Sequence, residues 1–122
     1  MEKMFINLTN HPSEKWSEHQ RSAAEKYGNI LDMLFPDISP MADAQETDQI
    51  AAELAESIIK RSPNAVLCQG EMTVCFRVVN KLKVAGITVL CATTERRVIM
   101  EEAEGGQSIK KAVFSFVRFR EY

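Results

Sequence analysis

The amino-acid sequence predicts an α/β protein in which a mainly parallel sheet carries helices on both faces. Two observations support this class. Short apolar segments alternate with amphipathic helical segments three times in succession, and two β-type segments separated by Gly105-Gly106 follow them. The 122 residues leave room for one domain, residues 1–122, which is large enough to bury a core without disulfides or metal ions.

The first strand–helix unit lies in the N-terminal part of the chain. Met4–Asn7 is predicted to form the first strand, and a polar loop follows it. Apolar residues at helical spacing then indicate a helix that ends near Gly28. Its start is open, because Ser13 and Ser17 are both suitable N-caps, the latter with Gln20 in the capping-box position.

The second unit has clearer limits. Ile30–Phe35 is predicted to be a strand, and Pro36 ends it. Asp43 is predicted to cap the next helix, with Glu46 in the reciprocal position. The apolar stripe of that helix consists of Ile50, Ala51, Leu54, Ala55 and Ile58.

The third unit and the C-terminal segment complete the pattern. Ala65–Cys68 is a wholly apolar strand, which is typical of a central position in a parallel sheet. A fourth strand is predicted at Ile87–Ala92, and Arg96–Glu104 and Ser108–Glu121 then form the two arms of a hairpin. The helix between the third and fourth strands has an inward stripe of Val74, Cys75, Val78, Val79 and Leu82.

These elements predict the order β-α-β-α-β-α-β-β-β and a Rossmann-like, three-layer sandwich. We expect four parallel strands in the order 2-1-3-4, extended at one edge by the C-terminal antiparallel hairpin. The switch point of such a sheet lies between strands 1 and 3. Open α/β sheets bind their ligands there, at the carboxyl ends of the strands.

Composition and charge argue against several classes of protein. The formal net charge of −2 does not suit a protein that coats duplex DNA. The apolar segments are far shorter than the ~20 residues of a membrane helix, and the N-terminus lacks the features of a signal peptide. Three cysteines, each in an apolar stretch, predict buried thiols in a reducing compartment, the cytoplasm. Two histidines at no metal-ligand spacing predict no metal site, and we expect no cofactor.

Polar residues cluster where three of the four predicted parallel strands end. Amides and hydroxyls of this kind suit a ribose, a base edge or a phosphate ester better than an apolar ligand. Gly70 is expected to let the backbone approach a ligand closely. The candidate ligand-binding residues are Asn10, Ser13, Gln69, Gly70, Thr73, Thr94 and Arg97.

Three further residues, His11, Glu71 and Arg96, are candidates for catalytic roles, each with a structural alternative. The His11 imidazole suits acid–base chemistry near neutral pH, or the residue shapes the turn before Pro12. Glu71 either accepts hydrogen bonds from a ribose or is a helix N-terminal carboxylate without a ligand. Arg96 and Arg97 are expected to point to opposite faces of the chain, so that one binds phosphate while the other is solvated or ion-paired.

Four short stretches of the sequence together carry a resemblance to known proteins: Phe5–Ser13, Val66–Glu71, Thr94–Arg97 and Phe116–Tyr122. They resemble a family of small stand-alone proteins associated with type III CRISPR loci. More broadly, the predicted topology is similar to the CRISPR-associated Rossmann-fold (CARF) domain and to single-domain ring nucleases. At the level of topology, the resemblance spans nearly the whole chain.

The resemblance implies a nucleotide-binding homodimer of antiviral defence. CARF-like domains bind the messenger cyclic oligoadenylate across a two-fold axis, at the carboxyl ends of the strands. Ring nucleases of this kind cleave it without a metal, by orienting a ribose 2′-hydroxyl in line with the neighbouring phosphate, and leave a 2′,3′-cyclic phosphate. The loop after strand 1, the Gln69–Thr73 turn, and Arg96 or Arg97 would line the ring, and Lys15 is the nearest candidate for a phosphate-neutralising lysine.

Two other functions stay open beside the ring nuclease. One is a sponge or sensor that binds the messenger without cleaving it. The other is an unrelated Rossmann-like enzyme that acts on a nucleoside or nucleotide. The first two hypotheses predict a homodimer, whose interface is expected at Phe76 or at the aromatic C-terminal strand.

Overall fold

The computed structural model describes residues 2–122, which contain five strands and three α-helices. Short 3-10 turns lie at Ser13–Lys15 and Glu104–Gly106. The strands and helices are β1 (Met4–Thr9), α1 (Glu18–Glu25), β2 (Asn29–Leu34), α2 (Ala44–Ile59), β3 (Ala65–Cys68), α3 (Met72–Val84), β4 (Val89–Glu102) and β5 (Ser108–Glu121).

The five strands form one sheet in the order β2-β1-β3-β4-β5. The first four strands are parallel, and β5 pairs antiparallel with β4. The predicted α/β class, the order 2-1-3-4 and the antiparallel extension at one edge are therefore confirmed. Strand β1 lies between β2, at one edge, and β3, so the ends of β1 and β3 are neighbours.

The prediction of a separate fourth strand followed by a hairpin was wrong in one respect. The fourth strand and the first hairpin arm are one continuous strand, β4, which runs through Thr93–Glu95 without a break. This stretch has no glycine or proline to end the strand, and β5 supplies backbone partners along its length. A shift of register between Thr93 and Thr94 is the irregularity in this pairing, and it bends the ribbon instead of ending it.

Helices α2 and α3 cover one face of the sheet. All five stripe residues predicted for α3 are buried, and they pack with Ile6, Leu8 and Val66 of the central strands. In α2, Ala51, Ala55 and Ile58 are buried, whereas Ile50 and Leu54 are partly buried. No helix within residues 2–122 is long and apolar enough to cross a membrane.

Side-chain caps set the start of each of the first two helices. Ser17 accepts a hydrogen bond from the Gln20 amide at 3.2 Å, so the helix begins after Ser17, and Ser13 lies in the preceding 3-10 turn. Asp43 accepts from the Glu46 amide at 2.8 Å, as predicted.

The opposite face of the sheet carries α1 and an aromatic cluster. Phe5, Leu67 and Leu90 are buried there. The Phe5 ring meets Trp16 edge-on, with ring centroids 6.2 Å apart, and lies 5.3 Å from Phe119. Helices thus lie on both faces of the sheet, and Phe119 of the C-terminal strand packs in the aromatic cluster on the α1 face.

The position of Gly70, just after β3, is explained by packing. A Cβ atom there would lie 2.5 Å from ring atoms of Phe35, closer than side chains approach one another. Phe35 is almost fully buried among residues of β1, α2 and α3 and has little room to move. The close approach that was predicted at Gly70 is therefore made to an aromatic ring of the protein itself.

Replacing Gly70 by alanine is expected to lower the free energy of unfolding by about 1–3 kcal/mol, because the new methyl group overpacks the Phe35 ring. Urea unfolding would measure this loss. In the double variant Gly70→Ala/Phe35→Leu, the total loss should be smaller than the sum of the two single losses. Additive losses would show that the clash with Phe35 is not the cause.

Candidate functional site

A groove of about 800 Å³ opens where β1 and β3 end, between the start of α1 and the β4–β5 ribbon. It lies beside the predicted switch point, on the α1 side of the sheet. The residues that line it are Thr9, His11, Lys15, Trp16, Ser17, His19, Gln20, Leu67, Gln69, Ala92, Thr94, Phe114, Ser115 and Phe116.

The backbone of His11 is held in place by hydrogen bonds to its neighbours. Its carbonyl oxygen accepts from Asn7 Nδ2 at 2.9 Å and from Trp16 Nε1 at 3.2 Å. Its amide donates to Thr9 Oγ1 at 3.0 Å, and the Thr9 hydroxyl donates to Asn7 Oδ1 at 2.8 Å. The imidazole itself is exposed and lines the groove, so an anchored loop presents a free side chain.

Asp32 of β2 anchors the next part of the same loop. Asn7 Nδ2 donates to Asp32 Oδ1 at 3.0 Å. The Ser13 hydroxyl donates to Asp32 Oδ2 at 3.1 Å, and the Ser13 amide lies 3.3 Å from both carboxylate oxygens. The Arg21 side chain of α1 also donates to the Ser13 carbonyl oxygen. The hydroxyl that was predicted to bind a ligand is thus engaged in holding the loop on β2.

The structure brings three of the predicted site residues together in the groove: His11, Gln69 and Thr94. Gln69 is fixed there, because its Oε1 accepts a hydrogen bond from the Ala92 amide at 2.7 Å. Asn10 is exposed on the same loop but does not line the groove.

Glu71, Thr73 and Gly70 lie at the start of α3, away from the groove lining. The Glu71 carboxylate caps the helix, accepting from the amides of Thr73 at 3.0 Å and Val74 at 2.9 Å, and from the Thr73 hydroxyl. These hydrogen bonds, with a smaller contribution from the Arg77 charge, lower the pKa of Glu71 below its ordinary value. The geometry matches the helix N-terminal alternative for Glu71, and Gly70 lines a different cavity, of about 350 Å³.

The two arginines lie within β4, not beyond the end of a strand as expected. Arg96 pairs in register with Phe114, and Thr94 pairs with Phe116, so by strand alternation Arg96 shares the groove face with Thr94. Arg97 lies on the other face, where its Nη2 is 3.1 Å from Glu95 Oε2. Arg96 does not line the groove, but it lies on the groove face of β4 next to Thr94. Of the two arginines it is therefore the one that can reach a ligand bound there.

Several groove residues were not identified as ligand-binding from the sequence. His19 of α1 is one of them, and its ring meets Phe116 edge-on with centroids 5.1 Å apart. Trp16 packs on Phe5 and also lines the groove. A sequence signal existed for one side of the groove, since Lys15, Trp16 and His19 are close in the chain. No such signal existed for Phe114, which reaches the groove only because β5 pairs antiparallel with β4.

The groove thus combines two imidazoles and an ammonium group with hydroxyls, amides and aromatic rings. This set can neutralise and hydrogen-bond a phosphate, accept or donate hydrogen bonds to sugar hydroxyls, and stack on a base. An imidazole on a fixed loop can also move a proton. Within residues 2–122, His, Cys, Asp and Glu side chains form no group of three that could hold a metal ion.

Comparison with known proteins identifies the family. Residues 3–120 match the model of the family described as "Uncharacterized protein MJ1673 family". Because the match covers nearly the whole chain, the protein belongs to this family. No curated protein matches the chain.

The cap at α3 predicts a pH-dependent stability. Because the pKa of Glu71 is lowered in the folded protein, its carboxylate contributes fully to the free energy of unfolding above the ordinary glutamate pKa of 4.5. That contribution is lost as the pH falls through the lower pKa of the folded state. Near neutral pH, the urea concentration at the unfolding midpoint should therefore be higher for the wild type than for Glu71→Gln. The difference between the two midpoints should become smaller in acid. Urea titrations from about pH 7 to about pH 3 would measure it. A difference that stays constant over this range would contradict the prediction.

Proposed function

We propose that this member of the MJ1673 family binds cyclic oligoadenylate in the groove beside β1 and β3, and cleaves it as a metal-independent ring nuclease. The observation that carries the proposal is the His11 loop, whose backbone is anchored by three hydrogen bonds while its imidazole projects into a groove lined by Lys15. The resemblance to type III CRISPR-associated proteins suggests the cyclic messenger as the ligand.

The polar and aromatic lining supports a nucleotide. Gln69 and Thr94 offer an amide and a hydroxyl at neighbouring strand ends, which suit a base edge or a ribose. Phe114 is 65% exposed at the groove and presents a ring on which a base can stack. The Lys15 ammonium group suits a phosphate in the same space.

The proposed cleavage depends on position and charge. A ribose 2′-hydroxyl attacks its neighbouring phosphate in line, and the 5′-oxygen of the next nucleotide leaves. His11 would either take the 2′-hydroxyl proton while water protonates the leaving 5′-oxygen, or protonate that oxygen while water takes the 2′-hydroxyl proton. Lys15 and Arg96 would stabilise the charge that develops on the phosphate. The anchored backbone of His11 supports this role, because a reacting group held in place loses less entropy on reaching the transition state.

A symmetric dimer is part of the proposal, since a ring of several nucleotides extends beyond one groove. The outer part of the β4–β5 ribbon is the surface that we expect a second copy to cover. β4 pairs with β3 at Val89 and Leu90, and further out it pairs with β5, so the outer ribbon is a two-stranded structure. Such a ribbon is marginally stable by itself in water.

The ribbon exposes apolar side chains on both of its faces. By strand alternation, Val98 and Met100 share the groove face of β4, and they are 55% and 59% exposed. Ile99 and Ile109 lie on the other face and are also exposed. Apolar residues on both faces of a projecting ribbon support the proposal that a second copy covers it. Phe76 on α3, the other predicted interface residue, is exposed as well.

To test the function, the purified protein is mixed with cyclic tetra-adenylate or cyclic hexa-adenylate in a buffer that contains a metal chelator. Chromatography then measures how much of the ring the protein retains and which products form. Linear products with a 2′,3′-cyclic phosphate are expected. His11→Ala should lower the cleavage rate by about 10²–10⁴-fold. Lys60→Ala is the matched control, because this lysine follows α2 on the opposite face of the sheet, and its rate should equal that of wild type.

The other outcomes separate the alternatives. Retention of the ring without cleavage would indicate a sponge or sensor. If the protein neither retains nor cleaves the rings, the proposal is contradicted for these two ring sizes. That result would favour an enzyme that acts on a nucleoside or nucleotide.

The ribbon interface predicts a dimer that charges on the ribbon disrupt. Wild-type protein should elute as a dimer in size exclusion with light scattering, whereas Val98→Glu/Met100→Glu should be monomeric because the new carboxylates would be buried without partners. Phe76→Glu is the control and should remain dimeric. A monomeric wild type would contradict the dimer, and a monomeric Phe76→Glu with a dimeric ribbon variant would place the interface on α3.

A further inference from the structure

Two cysteines on the face of the sheet opposite the groove lie side by side. Cys68 ends β3 and Cys75 is in the first turn of α3, and their sulfur atoms are 3.5 Å apart. The Cys75 Sγ also lies 3.4 Å from the Cys68 carbonyl oxygen. The two thiols therefore face each other across the turn that joins β3 to α3.

The two thiols differ in their access to solvent. Cys68 is fully buried, whereas Cys75 is 8% exposed and lines the cavity of about 350 Å³ with Gly70, Met72 and Tyr122. The Tyr122 hydroxyl lies 3.8 Å from the Cys75 Sγ and donates to the Cys68 carbonyl oxygen at 2.7 Å. A small reagent that enters this cavity meets Cys75 first.

The two thiols also differ in acidity. Hydrogen bonding from the Cys68 thiol holds the pKa of Cys75 below its ordinary value, against the effect of burial. The same contact and the burial of Cys68 raise the pKa of that thiol. The thiolate is the nucleophilic form, so Cys75 is the better nucleophile and Cys68 keeps its proton.

We propose that Cys68 and Cys75 are a reversible dithiol–disulfide pair that responds to hydrogen peroxide, with Cys75 as the sulfur that reacts first. The Cys75 thiolate attacks one peroxide oxygen, the O–O bond breaks, hydroxide leaves and Cys75 becomes a sulfenic acid. The Cys68 sulfur then attacks the Cys75 sulfur, an S–S bond forms, and the sulfenic hydroxyl leaves with the Cys68 proton as water. Two thiols are oxidised, and one peroxide is reduced to two molecules of water.

Forming the bond requires a small local movement. An S–S bond is about 2.05 Å long, so the sulfur atoms must approach by about 1.5 Å. Cys75 is in the first turn of its helix, which contains an exposed Met72 and follows the exposed turn at Gly70. The third cysteine, Cys91, is half-buried on β4 and serves as an internal reference. This pair is independent of the function proposed for the groove.

The test is peroxide treatment of the full chain, alkylation of the remaining thiols and mass spectrometry. Glu71 lies between Cys68 and Cys75, and Arg77, Lys81 and Lys83 lie between Cys75 and Cys91. Digestion with trypsin and with a protease that cleaves after glutamate therefore puts each cysteine in its own peptide. The Cys68 and Cys75 peptides should stay linked after oxidation and separate on treatment with dithiothreitol. Alkylation of Cys91 should be the same before and after oxidation.

Variants separate the two roles. In Cys68→Ser, Cys75 should stop at the sulfenic acid and be trapped by dimedone, whereas in Cys75→Ser no linked peptides should form. Cys91→Ser should form the linked peptides at the wild-type rate. The wild-type experiment does not depend on whether a variant folds. A linkage that includes Cys91, a link between two chains, or irreversible oxidation of Cys75 without a linkage would each overturn the proposal.

Discussion

The buried side-chain amide of Asn7 is the interaction on which the architecture of the groove depends. Asn7 is 1% exposed in β1, an interior strand of the sheet, and an unpaired amide there would cost about 1–3 kcal/mol. It avoids this cost by donating to the His11 carbonyl oxygen and to Asp32, and by accepting from Thr9. A polar residue inside the sheet therefore fixes the loop that presents the His11 imidazole, and it ties that loop to the neighbouring strand.

The second wall of the groove depends on the continuity of β4. The fourth strand was expected to end at Ala92, with Arg96 at the start of a separate hairpin arm. Instead β4 continues beside β5, and the register shift near Thr93 turns Phe114 and Phe116 toward the loop after β1. The same continuity produces the projecting ribbon that we propose as the dimer interface.

The last residues of β3 point to opposite faces of the sheet. Strand alternation places Leu67 at the groove and Cys68 against α3, and Gln69 then reaches across to the Ala92 amide. The proposed ligand site and the proposed dithiol are therefore adjacent in sequence but lie on opposite faces. Substitutions at Cys75 and at His11 should consequently be separable in their effects.

The sequence by itself determined the alternation of strands and helices up to α3, the sheet topology and the helix cap at Asp43, and it narrowed the cap of the first helix to Ser13 or Ser17. These follow from short-range patterns of apolar spacing and capping chemistry, which act within a few residues. Of the candidate site, it identified His11, Gln69 and Thr94, because residues after parallel strands meet at one edge. Only the tertiary structure decided the rest. The aromatic wall of the groove, the capping role of Glu71 and the meeting of Cys68 with Cys75 depend on where distant or turning segments pack, and local sequence does not encode those distances.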